Sequence, residues 1–309
     1  MAGFDRFKRT LSAIILIAVT LLLTSSGRVS QRHYEIGRGL GVYITNADTV
    51  TEQIRGCLRR RSACITVVFS THSDNMRDID ELVSELMRCA QEETERADEG
   101  DYISAQLGGY KAEYAYSLEN GIYRYEIAIR PDYYTDAEQE RLTDERVAEI
   151  LGELNTDRRS SEYERVRAVY DYLRENVEYD EVHKKNSHYH LKSTAYGALV
   201  NRRAVCQGYA VAAYRLLREL GVDCRVITGM ASDGRRHELV YADEEYHAWN
   251  IVRLDGKYYD LDITWDKRLG TEDYFLKCES DFVSHKRDEK YTGVSFEERY
   301  PMSETSYDR

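Results

Sequence analysis

The spacing of apolar residues predicts several amphipathic helices. From Cys206 onward, apolar side chains recur every three or four residues, which places them on one helical face. These side chains are Ala210, Ala213, Leu217 and Leu220. Gly221 follows them and is typical of a helix C-terminus. Similar patterns predict helices over residues 47–61, 78–96, 136–154 and 161–177.

Alternating apolar and polar residues predict two antiparallel hairpins. Residues 110–117 and 122–129 flank Asn120-Gly121, and residues 246–254 and 257–265 flank Asp255-Gly256. Both dipeptides favour a two-residue turn between antiparallel strands. Residues 65–70 predict one more strand. Helices and antiparallel strands in this order indicate an α+β fold.

Cys206 lies in the first turn of its predicted helix. Unpaired backbone N–H groups and the positive end of the helix dipole lower the pKa of a thiol there. Cys206 is therefore a candidate nucleophile. The alternative interpretation is a small buried side chain without chemistry, which is common for cysteine.

The second hairpin supplies possible partners for this thiol. A two-residue turn sets a register in which Trp249 lies opposite Asp262 and His247 lies opposite Thr264. His247 and Asp262 are then diagonal neighbours on one face, about 7–8 Å apart at the backbone. In a catalytic triad the histidine takes the thiol proton, and the carboxylate orients the imidazole.

Three segments in this region resemble the core of the bacterial transglutaminase-like superfamily. They are AYGALVNRRAVCQGYA, HAWNIV and DGKYYDLDITWD, and they occur in the order and at the spacing of that family. The resemblance covers roughly residues 160–290 and implies a papain-like fold. It implies Cys206 as nucleophile, His247 as base and Asp262 as orienting carboxylate. Ile263 and Arg202-Arg203 depart from the residues that many relatives have there, which affects the expected shape of the acceptor pocket.

The resemblance implies acyl transfer on peptide or protein amides through a thioester on Cys206. A cysteine peptidase or amidase, in which water resolves the same thioester, is the first alternative. A binding module that keeps the fold without catalysis is the second. The expected partners are protein or peptide substrates, including those of the cell envelope, and no cofactor is expected.

The pattern of elements divides the chain into three parts. Residues 1–26 predict a signal peptide or anchor, residues 27–132 a small α+β domain, and residues 133–309 the transglutaminase-like domain. Pro131 marks the predicted boundary between the last two. No catalytic constellation is evident in the small domain, so a structural or substrate-presenting role is expected.

Charge and the N-terminal sequence suggest location and exclude some partners. The net charge is −12, with 55 acidic and 43 basic residues, which argues against binding of nucleic acid or of an anionic membrane by the body of the protein. At the N-terminus, Arg6, Lys8 and Arg9 precede an apolar run over residues 11–23, followed by small residues 24–27. That order is typical of an export signal, and the run is shorter than the roughly 20 residues of a comfortable membrane span. We expect an extracytoplasmic protein, secreted or anchored by this segment.

Cysteine and histidine spacing predicts no metal site. The chain has six cysteines, at positions 57, 64, 89, 206, 224 and 278, and their spacing leaves disulfide pairing open. His183, His188 and His190 cluster in a polar segment that is predicted to be a solvated loop. Neither Cys-x-x-Cys nor His-Glu-x-x-His spacing occurs.

Overall fold

The computed structural model describes residues 33–35, 43–45, 47–71, 79–154, 156–232 and 245–308. The predicted export segment, residues 1–26, lies outside these ranges. Within the described ranges, none of the helices has the length and apolar character needed to cross a membrane.

The first part of the described chain forms a three-stranded antiparallel sheet and the helices that pack against it. Its elements are β1 (His33–Glu35), β2 (Tyr43–Thr45), α1 (Ala47–Arg59), β3 (Ile65–Thr71), α2 (Ile79–Ala90), α3 (Asp101–Ser104), β4 (Leu107–Glu119) and β5 (Ile122–Tyr133). The sheet order is β3-β5-β4, and β1 pairs with β2. Apolar side chains of α1, α2, β3 and β5 share one buried cluster.

The Asn120-Gly121 turn predicted between β4 and β5 is confirmed. Both residues have positive φ angles, 52° and 77°, and Glu119 pairs with Ile122 across the turn. The helix predicted over residues 78–96 is wrong at its C-terminal end, because α2 ends at Ala90. The Arg55 guanidinium donates hydrogen bonds to the carbonyl oxygens of Cys89 and Ala90, at 2.8 and 3.1 Å, and so caps the end of the helix.

The second part contains helices packed on a four-stranded antiparallel sheet. Its elements are α4 (Ala137–Glu153), α5 (Glu162–Asn176), β6 (Glu178–Tyr179), α6 (Ala195–Leu199), β7 (Arg203–Ala204), α7 (Cys206–Glu219), β8 (Cys224–Ala231), β9 (Glu245–Leu254), β10 (Lys257–Leu261), α8 (Ile263–Leu269), β11 (His285–Arg287) and α9 (Val294–Arg299). The sheet order is β10-β9-β8-β11. The predicted α+β class is confirmed.

The three helices predicted in this part begin and end close to the predicted residues. The side chains of Asp136 and Ser161 each form a capping box at the start of α4 and α5, which is why these helices begin there. Helix α7 begins at Cys206, and Gly221 follows its end with a φ of 74°. Nearly every side chain between Gly208 and Leu217 is buried, so α7 is the central helix of this core.

The β9–β10 hairpin has the predicted register over its first five pairs, from Lys257 opposite Leu254 to Leu261 opposite Asn250. The prediction of a strand up to residue 265 is wrong, because β10 ends at Leu261. Asp262 is instead the N-cap of α8, and its side chain accepts the Trp265 N–H at 3.0 Å. The expected pairs of Trp249 with Asp262 and of His247 with Thr264 are therefore absent from the described hairpin.

The segment before β4 packs against the second part of the chain. The Asp101 carboxylate accepts hydrogen bonds from Arg225 Nε and from the backbone N–H of Val226, both at 2.7 Å. Tyr102 belongs to the buried cluster of the second part, and the Tyr214 hydroxyl donates to Glu93 at 2.7 Å. Pro131 lies within β5, and the division of the chain near this residue stays a prediction.

Candidate active site

The candidate nucleophile Cys206 is the first residue of α7 and is half-buried. The preceding residue, Val205, provides no side-chain cap. The N–H of Cys206 is among the first four of the helix, which have no partner within it. The N-terminus of α7 thus carries both a thiol and a backbone N–H that has no partner within the helix.

His247 lies on β9, which packs beneath α7, and is 7% exposed. His247 and the backbone N–H of Ala248 both act on the Cys206 thiol and lower its pKa. His247 Nε2 is 2.7 Å from Asp262 Oδ2, so Nδ1 is the ring nitrogen left for the sulfur. The structure thus brings together the three residues that the sequence singled out.

Asp262 is almost completely buried, and both of its carboxylate oxygens are engaged. Oδ1 accepts the Trp265 N–H at the start of α8, and Oδ2 accepts the imidazole of His247. The helix N-cap geometry therefore orients the carboxylate towards the histidine. The side chains meet although Asp262 lies just beyond the strand in which it was predicted.

The electrostatics of the three groups favour a thiolate paired with an imidazolium. Burial would raise the pKa of the Cys206 thiol, but the hydrogen bond and the charge of His247 outweigh it and hold that pKa below its usual value. Burial would lower the pKa of His247, but the charge of Asp262 outweighs it and raises the pKa to about 10. Despite burial, His247 holds the pKa of Asp262 well below its usual range.

Two tryptophans pack around the imidazole. The rings of Trp249 and Trp265 lie 6.2 and 5.6 Å from that of His247, centroid to centroid, and both side chains are buried. Trp249 Nε1 donates to Asp260 Oδ1 at 2.9 Å. Both tryptophans thus fill the interior beside His247.

The other two carboxylates of this segment have partners of their own. Asp260 accepts hydrogen bonds from Trp249 and from Arg287, the latter at 2.8 Å. Asp266 accepts the Tyr170 hydroxyl at 2.7 Å, and burial raises its pKa to about 6. Asp262 is the carboxylate of the three that contacts His247.

His285 is a site residue that the sequence did not reveal. It lies on β11, and its buried side chain places Nε2 3.0 Å from Asp262 Oδ2. The three-residue strand β11 has too short a pattern to be predicted, and only its pairing with β8 brings His285 to the site.

Among the described residues, His247, Asp262 and His285 form a group whose potential ligand atoms lie within 4.8 Å of one another. Asp262 Oδ2 lies at direct hydrogen-bond distance from both imidazoles. Two N–H groups that donate to one carboxylate oxygen account for these distances. We therefore interpret these three residues as a hydrogen-bonded group and not as metal ligands. In the polar loop, His183 Nδ1 pairs with Asp180 Oδ2 at 2.9 Å.

All six cysteines are free thiols in the structure. Burial raises the pKa of Cys224 well above its usual value, and burial also raises that of Cys89. Cys206 differs from both, because its pKa is lowered.

Comparison with known proteins shows what part of the chain resembles. Residues 149–263 match the transglutaminase-like superfamily. This match agrees with the resemblance that the sequence motifs predicted.

Named relatives match part of the chain. It is 31% identical to human kyphoscoliosis peptidase over 148 residues, which cover 46% of this chain and 21% of the relative. The mouse protein of the same name is 31% identical over 147 residues, with the same coverage. The chain thus spans about a fifth of the length of these relatives. The crystal structure of a TGase aligns with a TM-score of 0.35 and 20% identity, over 50% of this chain and 45% of the other.

Proposed function

We propose that this protein is a thiol enzyme that transfers acyl groups from peptide or protein amides through a thioester on Cys206. The observation that carries the proposal is that His247 bonds to Asp262 at 2.7 Å and lowers the pKa of the Cys206 thiol at the start of α7. The match of residues 149–263 to the transglutaminase-like superfamily supports the same chemistry.

In the first half-reaction the Cys206 thiolate attacks the amide carbonyl carbon, and a C–S bond forms. The negative charge that develops on the carbonyl oxygen lies near the start of α7, where the backbone N–H of Cys206 can donate to it. The C–N bond then breaks, and the His247 imidazolium protonates the departing amine. The products are a thioester, a free amine and a neutral imidazole.

In the second half-reaction an amine or water attacks the thioester. His247 takes a proton from the nucleophile, the C–S bond breaks, and Cys206 leaves as a thiolate beside the regenerated imidazolium. Asp262 stabilises the imidazolium in both half-reactions and keeps the ring in one orientation.

Hydrolysis by water is the second candidate outcome. The relatives that align with this chain are named peptidases, and that name favours hydrolysis. The covalent half-reaction is the same in both cases, so the site residues keep their roles.

A glutamine-containing peptide library with a labelled primary amine, read by mass spectrometry, tests these outcomes. Incorporation of the label supports transamidation, and loss of ammonia or peptide cleavage without label supports hydrolysis. Unchanged peptides would contradict the proposed enzyme and favour a binding module.

Cys206 should react with a limiting amount of iodoacetamide near neutral pH before the other five cysteines do. The reason is its lowered pKa and its partial exposure, since thiolate fraction and access control alkylation. Peptide mapping of the native protein measures the order of labelling. Faster labelling of Cys57, Cys64 or Cys89 would count against Cys206 as the nucleophile.

The proposed location is outside the cytoplasmic membrane, on the basis of residues 6–27. Protein recovered from that compartment should have an N-terminus near Gly27 when it is sequenced. An intact N-terminus on cytosolic protein would contradict the proposal.

A further inference from the structure

Asp262 contacts a second imidazole, that of His285. Its Nε2 lies 3.0 Å from Asp262 Oδ2, the same oxygen that bonds to His247 at 2.7 Å. The His285 side chain is completely buried. This residue is the first of β11, the edge strand that pairs with β8.

A glycine permits the close approach of β11 to the sheet. Gly229 on β8 pairs with Arg287 on one side and with His247 on the other. A Cβ atom at this position would lie 2.0 Å from the carbonyl oxygen of Lys286. The missing side chain therefore allows the strand contact that holds β11, and with it His285, beside the site.

The hydrogen-bond partners define the tautomer of His285. Asp262 is ionised and can only accept, so His285 Nε2 carries a proton. Burial lowers the pKa of His285, which keeps the ring neutral and leaves a lone pair on Nδ1. The Ser284 hydroxyl lies 2.9 Å from Nδ1 and is placed to donate to it. Both ring nitrogens are thus satisfied in a single orientation.

Aromatic packing holds the ring in that orientation. Phe282 stacks on it with centroids 4.0 Å apart, and Trp265 and Trp249 lie at 4.6 and 5.0 Å. The same two tryptophans pack against His247. His285 is therefore a rigid donor. Its side chain is already held in the orientation that the hydrogen bond to Asp262 requires.

We propose that His285 is a positioning residue that holds the Asp262 carboxylate against His247 and so maintains the thiolate–imidazolium pair with Cys206. This inference rests on the proposed thiol chemistry. Three N–H donors, from Trp265, His247 and His285, fix the two carboxylate oxygens. Without the third donor, Oδ2 retains His247 alone and the carboxylate gains freedom to turn away.

Two substitutions separate the hydrogen bond of His285 from its packing. His285→Phe keeps an aromatic ring among Phe282, Trp265 and Trp249 but removes the donor. His285→Gln loses the ring but can present an amide N–H near the position of Nε2. His183→Phe is a matched control, since its imidazole also bonds to an aspartate, Asp180, and lies near a tyrosine ring, Tyr189.

The first readout is the titration of the Cys206 thiol, followed by thiolate absorbance and by iodoacetamide alkylation across pH. We expect His285→Phe to raise the apparent pKa of Cys206, because a poorly held carboxylate stabilises the imidazolium less. His285→Gln should restore most of the wild-type titration, and His183→Phe should match the wild type. Equal titrations of wild type and His285→Phe would overturn the proposal, as would equal shifts in the Phe and Gln variants.

The second readout is acyl transfer with a fixed peptide donor. We expect His285→Phe to lower kcat about 10- to 100-fold with little change in KM, which is the factor that a hydrogen bond to a charged group contributes. The thiol titration needs no substrate. A shifted titration together with an inactive wild-type protein would therefore contradict the proposed function and leave the role of His285 standing.

Thermal unfolding of each variant shows whether it is folded. If His285→Phe does not fold, Ser284→Ala carries the test, because it removes the donor to Nδ1 and keeps the ring. We then expect a smaller rise in the apparent pKa of Cys206. An unchanged titration in folded Ser284→Ala would overturn the proposal in that case.

Discussion

Cys206→Ala should abolish acyl-enzyme formation and reduce turnover by roughly 10⁶-fold, the loss known for removal of a nucleophile from a comparable triad. His247 and Asp262 remain in place in this variant, but no thiolate is present to attack the amide. The measurement is trapping of the thioester by mass spectrometry with a fixed acyl donor, together with steady-state rates.

Cys224→Ala is the matched control for this change. Cys224 is a buried cysteine on β8 whose pKa is raised by burial, and its sulfur contacts the amide of Asn250 at 3.5 Å. We expect this variant to keep the wild-type rate with a modest loss of stability. A thioester in Cys206→Ala, or its loss only in Cys224→Ala, would contradict the assignment of the nucleophile.

Asp262→Asn should reduce the rate of acyl transfer by roughly 10⁴-fold, the loss produced by the same change in a serine protease triad. The asparagine amide can present its N–H to His247 Nε2 and so favour the wrong tautomer of the ring. Asparagine can still accept the Trp265 N–H and is a good N-cap, so α8 should keep its start. Thioester formation is measured beside circular dichroism.

Asp260→Asn and Asp266→Asn are the controls for the choice of carboxylate. Asp260 bonds to Trp249 and Arg287, and Asp266 bonds to Tyr170, so neither change removes a partner of His247. Asp260→Asn should lower stability, because the partly buried Arg287 loses its countercharge. The assignment fails if either control is crippled while Asp262→Asn retains a near wild-type rate.

Local sequence determined the helix with the thiol and the start of the hairpin. The three-and-four spacing after Cys206 predicted α7, because one face of that helix must be buried. The Asp255-Gly256 turn predicted the pairing of Lys257 with Leu254, because its positive φ angles match the twist of paired strands. Both features depend on neighbouring residues, so they could be predicted without the fold.

The end of β10 could not be predicted from alternation alone. Residues 257–265 alternate like a strand, but at Asp262 the side chain can either continue the strand or cap a helix. Asp262 caps a helix because α8 packs against α5. In this contact Asp266 of α8 accepts a hydrogen bond from the Tyr170 hydroxyl of α5. Tertiary packing therefore overrides a local pattern that is compatible with both structures.

The second imidazole on Asp262 was decided by tertiary structure alone. His285 lies 23 residues beyond Asp262, in a strand of three residues without a turn signal. Its position depends on the pairing of β11 with β8 and on the close approach at Gly229. The sequence by itself determined which residues could form a thiol, imidazole and carboxylate group, since helix periodicity and turn chemistry act over a few residues. The tertiary structure decided how the carboxylate is held, because its donors come from segments that are distant along the chain and meet only when the core is packed.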